Sequence, residues 1–253
     1  YNGSNGSVQV AVDESLCDNL YFEDGVTPVK AMPSSYYSLS TTNLNFNGTF
    51  NGTTTVQLTD AFFNDPDAVG RTYVIPLVMT SQTGFGKILT GTLNEGETGP
   101  RTNSDAWDIK PMDYVLYCVK FQNKYSGFWL TNGTTSTDNI EQASSVEIKT
   151  LSLDDCSYEV SFQDGDKIYT ANLKLSFAGG SISSLTDGVT ATGTCSWGDD
   201  TEKKAWGNRD RDGMELNYTI TFADGKSFSK QEKLVWQRSG VKPVDEFTPV
   251  YKK

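Results

Sequence analysis

Apolar and polar positions alternate with a period of two along much of this chain. The pattern is clearest from Met214 to Phe222. There Met214, Leu216, Tyr218, Ile220 and Phe222 share one face, and Glu215, Asn217, Thr219 and Thr221 share the other. Successive strand side chains point to opposite faces, so this stretch predicts a strand with one apolar side and one wet side. Tyr169, Ala171, Leu173, Leu175 and Phe177 repeat the pattern, as do Val189, Ala191, Gly193, Cys195 and Trp197. Strands are predicted over 146–151, 157–162, 167–177, 189–197, 214–222 and 226–236. Asp164-Gly165, Gly179-Gly180, Asp187-Gly188 and Asp224-Gly225 supply hairpin turns between them. Serial hairpins of this kind imply an antiparallel meander, closed as a barrel or packed as a sandwich.

The first half gives a less regular β pattern. Residues 1–7 (YNGSNGS) form a flexible tether by composition, followed by a short strand over 8–12. Strands at 43–50 and 53–58 are expected to be joined by a turn containing Asn51-Gly52. Residues 60–64 fit one helical turn capped by Asp60. Residues 71–80 are almost continuously apolar, which predicts a strand covered on both faces. Pro76 within it suggests an edge position or a bulge. Residues 113–121 are apolar on both alternating faces, as expected of a strand inside a sandwich. The polar, turn-rich stretch 131–144 is the expected boundary, giving domains 1–135 and 136–253. No helix-period segment is long enough for a βαβ unit, so the expected class is all-β.

Charge and composition narrow the chemistry. Lys plus Arg is 21 against 32 Asp plus Glu, a net charge of −11. Such a chain lacks the clustered cations that nucleic acid or anionic lipid requires. It has no histidine, which excludes Ser-His-Asp and Cys-His catalysis within the chain. Cys17, Cys118, Cys156 and Cys195 form no CxxC pair, and buried free thiols are the expected state. Five of the six N-x-[ST] sequons are Asn-Gly, which fits turn vocabulary better than glycosylation. The longest apolar run, 73–79, is far too short for a membrane span.

Three segments carry a family resemblance. MPSSYYSLSTTNLNFNGTFNGTTTVQLTDAFFNDPDAVGRTYVIPLVMTS resembles the N-terminal β-sandwich of outer-surface lipoproteins from Bacteroidetes polysaccharide-utilisation loci. PMDYVLYCVKFQNKYSGFWLTNG resembles the strand and loop that close that domain. TGTCSWGDDTEKKAWGNRDRDGMELNYTITFADG resembles the lipocalin-like β-barrel partner domain. The resemblance implies an N-terminal β-sandwich followed by an antiparallel β-barrel or sandwich. It also implies a non-catalytic, SusE-like surface protein that binds a polysaccharide or glycoconjugate for uptake. The implied setting is the outer membrane at the cell surface, as a monomer beside a transporter complex. The lipid anchor is inferred, because no lipobox cysteine precedes the tether. A protein-interaction or adhesin module is the alternative, followed by a carboxylate-dependent glycosidase.

Sugar recognition uses aromatic faces against C–H surfaces together with polar side chains that bond hydroxyls. Trp206, Asn208, Arg209 and Asp210, in the loop before the strand at 214–222, are the first candidates. Trp107, and Trp129 with its neighbour Tyr125, come next. The Asp210–Asp212–Gly213 run lacks the spacing and closing Glu of an EF-hand, and Gly198-Asp199-Asp200 offers no more. No metal ligand, cofactor or catalytic residue is expected.

Overall fold

The computed structural model describes residues 5–135, 141–205, 208–241 and 245–253. The chain is almost entirely β and forms two compact units. One comprises Tyr1–Phe121 with Val244–Lys253, and the other comprises Gln122–Pro243. The boundary expected at 135/136 is therefore displaced. Strand Gly127–Thr135 is hydrogen-bonded to Glu141–Thr150 on one side and to Ser227–Arg238 on the other, so it belongs to the second unit. The described parts of the polar 131–144 stretch, 131–135 and 141–144, are paired strand rather than linker. The last residues return to the first unit, where Val250–Tyr251 pairs with Leu20–Tyr21.

The first unit is built on a curled sheet. Asn43–Asn47, Asn5–Val12, Tyr73–Thr83 and Tyr114–Val119 lie side by side, antiparallel, with Lys30–Ala31 added in parallel beside Tyr73–Thr83. Part of the supposed tether is thus strand, because Asn5, Gly6 and Ser7 pair with Asn47, Phe46 and Asn45. The strands Asn43–Asn47 and Val56–Leu58 do not form the expected hairpin. The second instead pairs with Tyr37–Leu39 in a small separate sheet. The helical turn Asp60–Phe63 has Thr59 at its N-cap position, one residue earlier than expected, without a side-chain capping bond.

Tyr73–Thr83 is a central strand despite Pro76. On one side Val12 pairs with Leu77 and Ala31 pairs with Val74, so the proline falls where one neighbour gives way to the next. The missing N–H costs no ladder bond at such a gap. Val74 and Ile75 are buried, as the continuous apolar run predicted. By contrast, Tyr114–Val119 is an edge strand with Val115 and Tyr117 exposed.

The second unit is a closed antiparallel barrel of eight strands. Its strands are Gly127–Thr135, Glu141–Thr150, Asp155–Asp164, Lys167–Ser176, Ser181–Ser184, Thr190–Glu202, Arg211–Thr221 and Ser227–Arg238. Each pairs with the next, and the eighth closes on the first. Six of them were legible as alternating segments. The first and the short fifth were not. The inward residues Met214, Leu216, Tyr218 and Ile220 are buried, and they meet Trp129, Tyr158, Leu173, Leu175 and Leu234 in one continuous core. An eight-stranded barrel is just wide enough for its side chains to fill it, and these do. Gly193 lets the sixth and seventh strands close up, since a Cβ there would lie 2.7 Å from Tyr218 Cα.

Candidate ligand-binding cleft

The sheet of the first unit buries only part of its inner face. Residues paired across strands point to the same side. The register therefore aligns Leu44 with Val8, Val10 with Met79, Leu77 with Val115 and Ile75 with Tyr117. At one end this face is covered by Met32, Tyr37 and Phe62, which pack with Tyr73, Ile75 and Leu77. Past that core the opposing layer thins to the pair Leu39–Val56 and the loop 50–54. The uncovered part is a cleft of about 530 Å³.

Among the described residues, the aromatic side chains of Phe46, Phe50 and Tyr117 line it, and Tyr114 borders it. Phe50 is 73% exposed and Tyr117 56%. Phe46 is held edge-on by Phe85, ring centroids 5.2 Å apart. The loop lies tightly on Phe46, because a Cβ on Gly52 would stand 2.8 Å from its ring. Asn51, Thr53 and Thr54 bring polar groups to the same cleft. Thr54 Oγ1 donates to Thr41 O at 2.7 Å, which ties this wall to the chain before Asn43–Asn47.

Among the described residues one carboxylate lines the cleft, and it is already paired. Asp113 is completely buried, and Arg101 Nε lies 3.1 Å from both of its oxygens. Its backbone carbonyl accepts from Met79 N at 2.7 Å, which fixes the segment leading into the edge strand. Burial, helped by the Asp113 charge, raises the Tyr114 pKa and keeps that phenol neutral.

The described residues among those singled out from sequence do not line this cleft. Asn208, Arg209 and Asp210 are exposed in the hairpin between the sixth and seventh barrel strands. Asp210 is engaged there by Lys203 Nζ and Lys204 N, both at 3.0 Å. Trp206 lies outside the described residues. Trp107 is half-buried in the first unit, and its indole N–H donates to Pro100 O at 3.0 Å. Trp129 is wholly buried in the barrel core, where its N–H donates to Tyr125 O and its ring meets Trp236 edge-on. A ring so placed has no face for a sugar, which corrects that expectation. Tyr125 is also buried, stacked on Phe177 with centroids 4.0 Å apart.

Beside the same hairpin, Asp199, Asp200 and Asp212 bring carboxylate oxygens within 4.8 Å of one another. Desolvation and the neighbouring Asp199 raise the Asp212 pKa. Two of the three residues are exposed, and such exposed acidic groups are common without an ion.

Sequence reasoning also missed a polar cluster inside the barrel. Glu232 accepts from Thr131 Oγ1 at 2.6 Å, Tyr218 Oη at 2.7 Å and Tyr158 Oη at 3.2 Å, and Lys230 Nζ lies 2.7 Å away. The signal was present, since Phe228, Lys230, Glu232, Leu234 and Trp236 share one strand face and put two charges among apolar residues. The cleft had a weaker signal. Its aromatic residues come from two separated segments, 46–50 and 114–117, that only the fold brings together.

The architecture is that of a two-unit all-β protein: a curled sheet with a partly open inner face, and a closed, filled barrel. Residues 122–240, nearly the whole barrel unit, match the family described as Domain of unknown function (DUF5627). Residues 1–86 match a family described as an N-terminal domain. No curated protein matches the chain. A crystal structure from Bacteroides ovatus at 2.40 Å resolution, titled as structural genomics of unknown function, is 31% identical in sequence with a TM-score of 0.89. The match covers 99% of this chain and 85% of that one. The chain belongs to the same family as that Bacteroides protein.

Proposed function

We propose that this is a non-catalytic glycan-binding protein and that the cleft of the first unit holds the sugar. The observation that carries the reading is the juxtaposition of exposed aromatic faces, Phe50 and Tyr117, with Asn51, Thr53 and Thr54 in one concave site. Sugar C–H faces pack on aromatic rings, and hydroxyls need nearby amide and hydroxyl partners. The resemblance to surface lipoproteins of polysaccharide-utilisation loci supports the same reading. It adds the expectation of attachment at the outer membrane, where bound glycan would pass to an uptake complex.

Native affinity gels and titration calorimetry against plant, host and microbial polysaccharides test the proposal. Retardation by at least one glycan is expected, weakened tenfold or more by Tyr117→Ala or Phe50→Ala with the fold intact. A folded protein that no polysaccharide retards would sink it. So would binding that is unchanged in both variants, because the cleft would then not be the site.

A further inference from the structure

We propose that the cleft selects uncharged saccharides and rejects acidic ones, an inference that rests on the binding function proposed above. Among the described residues that line the cleft, Asp113 is the sole Asp, Glu, Lys or Arg. Its buried carboxylate is held through both oxygens by Arg101. The pair is neutral as a unit, so the carboxylate is already engaged by a cation and the guanidinium by an anion.

A uronate carboxylate or a sulfate entering this cleft gives up its water against apolar walls. The side chains of Val8, Val10, Leu77, Met79 and Val115 supply no compensating donor, and no lysine or arginine is among the described lining residues. Burying an unpaired charge in such surroundings is strongly unfavourable. The net charge of −11 acts in the same direction at longer range, because it repels a polyanion before contact. An uncharged sugar meets neither penalty. Its C–H faces, and any acetyl or deoxy methyl groups, pack on Phe50, Tyr117 and the aliphatic wall, while its hydroxyls reach Asn51, Thr53 and Thr54.

The neutrality of the site also fixes a salt response. Contact between a neutral ligand and a neutral site involves no ion pair to screen, so affinity should hold from low salt to about 0.5 M NaCl.

The experiment uses the full chain and chemically matched probes: uronic-acid polysaccharides with their carboxyl-reduced forms, and sulfated polysaccharides with their desulfated parents. These join the neutral panel in native affinity gels and calorimetry. The expected result is that each neutral member that binds does so at least tenfold more tightly than its acidic partner. That binding should be insensitive to salt and lost in Tyr117→Ala. Acidic members bound as tightly as their neutral partners would overturn the selectivity while leaving glycan binding intact. Retention of no probe at all, neutral or acidic, would overturn the binding function and this inference together.

Discussion

The Lys230 ammonium lies 2.7 Å from the Glu232 carboxylate, two residues away on the same strand and inside the barrel. The Glu232 side chain is completely buried, and the Lys230 side chain is only 12% exposed. Tyr158, Tyr218 and Thr131 supply the remaining hydrogen bonds to the carboxylate. Burial is the largest reason that both phenols are held well above their ordinary pKa, with the Glu232 charge next. They therefore remain protonated donors. A charge pair among apolar side chains survives only when its polar atoms are satisfied in this way.

Removing one partner from this cluster should cost much more than removing both charges. Glu232→Leu leaves a buried ammonium and two phenols without their acceptor, a loss of about 3–5 kcal/mol. Lys230→Met combined with Glu232→Leu should recover part of that loss. Urea denaturation of the barrel unit, followed by tryptophan fluorescence, measures both. A double variant no more stable than Glu232→Leu alone would show that the pair is not the dominant interaction.

Trp129 and Trp107 should behave differently on truncation. Trp129→Ala empties a site of zero exposure in the barrel core and should cost about 3–5 kcal/mol. Trp107 is half-buried and makes one hydrogen bond through its indole, so Trp107→Ala should cost less. Neither change should alter glycan affinity when folded protein is titrated. Lost affinity in folded Trp107→Ala would redirect the search for the site.

Gly193→Ala should destabilise the barrel although it adds one methyl group. Its Cβ would run into Asn217 O and stand 2.7 Å from Tyr218 Cα, both on the neighbouring strand. Neither contact is the flexible end of a side chain, so the strands themselves must separate. The expected cost is about 1–3 kcal/mol by denaturant unfolding.

One carboxylate at the hairpin tips of the barrel, Asp224, should titrate below the ordinary range. Lys167 bonds Asp224 at 2.7 Å, and Lys226 pairs with Asp164 in the reciprocal direction. Hydrogen bonding from Lys167, then from the Lys226 backbone N–H and Tyr169, lowers the Asp224 pKa from 3.8 to about 2. A depressed carboxylate pKa contributes stability above the unfolded value, and that contribution disappears as pH falls through the folded value. The window here is from 3.8 down to about 2. Carboxyl NMR should place the Asp224 midpoint near the lower figure, and Lys167→Ala should move it upward. An unchanged midpoint in that variant would remove Lys167 as the main cause.

The thiols should be inert in the native state. Burial raises Cys17 to about 12 and both Cys156 and Cys195 to about 11, and all four cysteines are free. Since the thiolate is the reactive form, Cys17, Cys156 and Cys195 should resist iodoacetamide at pH 8 until the chain unfolds. Rapid native labelling of Cys156 would contradict its burial.

The sequence alone determined the all-β class and most barrel strands. A half-buried strand records its environment locally, one residue in and one out, and 167–177 and 214–222 show it without help from the rest of the chain. Asp-Gly and Gly-Gly turns did the same, with Gly165, Gly180, Gly188 and Gly225 all at positive φ as those turns require. Only the tertiary structure decided which strands are neighbours. Nothing local says that Gly127–Thr135 closes a barrel against Ser227–Arg238, or that Asn5–Val12 runs beside Tyr73–Thr83. It also decided which aromatic residues are accessible. Trp129 and Tyr117 look alike as rings in apolar strands, but one fills a barrel and the other stands on an edge strand beside an open cleft. Burial depends on what packs against a residue from distant parts of the chain, and that information is absent from its immediate neighbours.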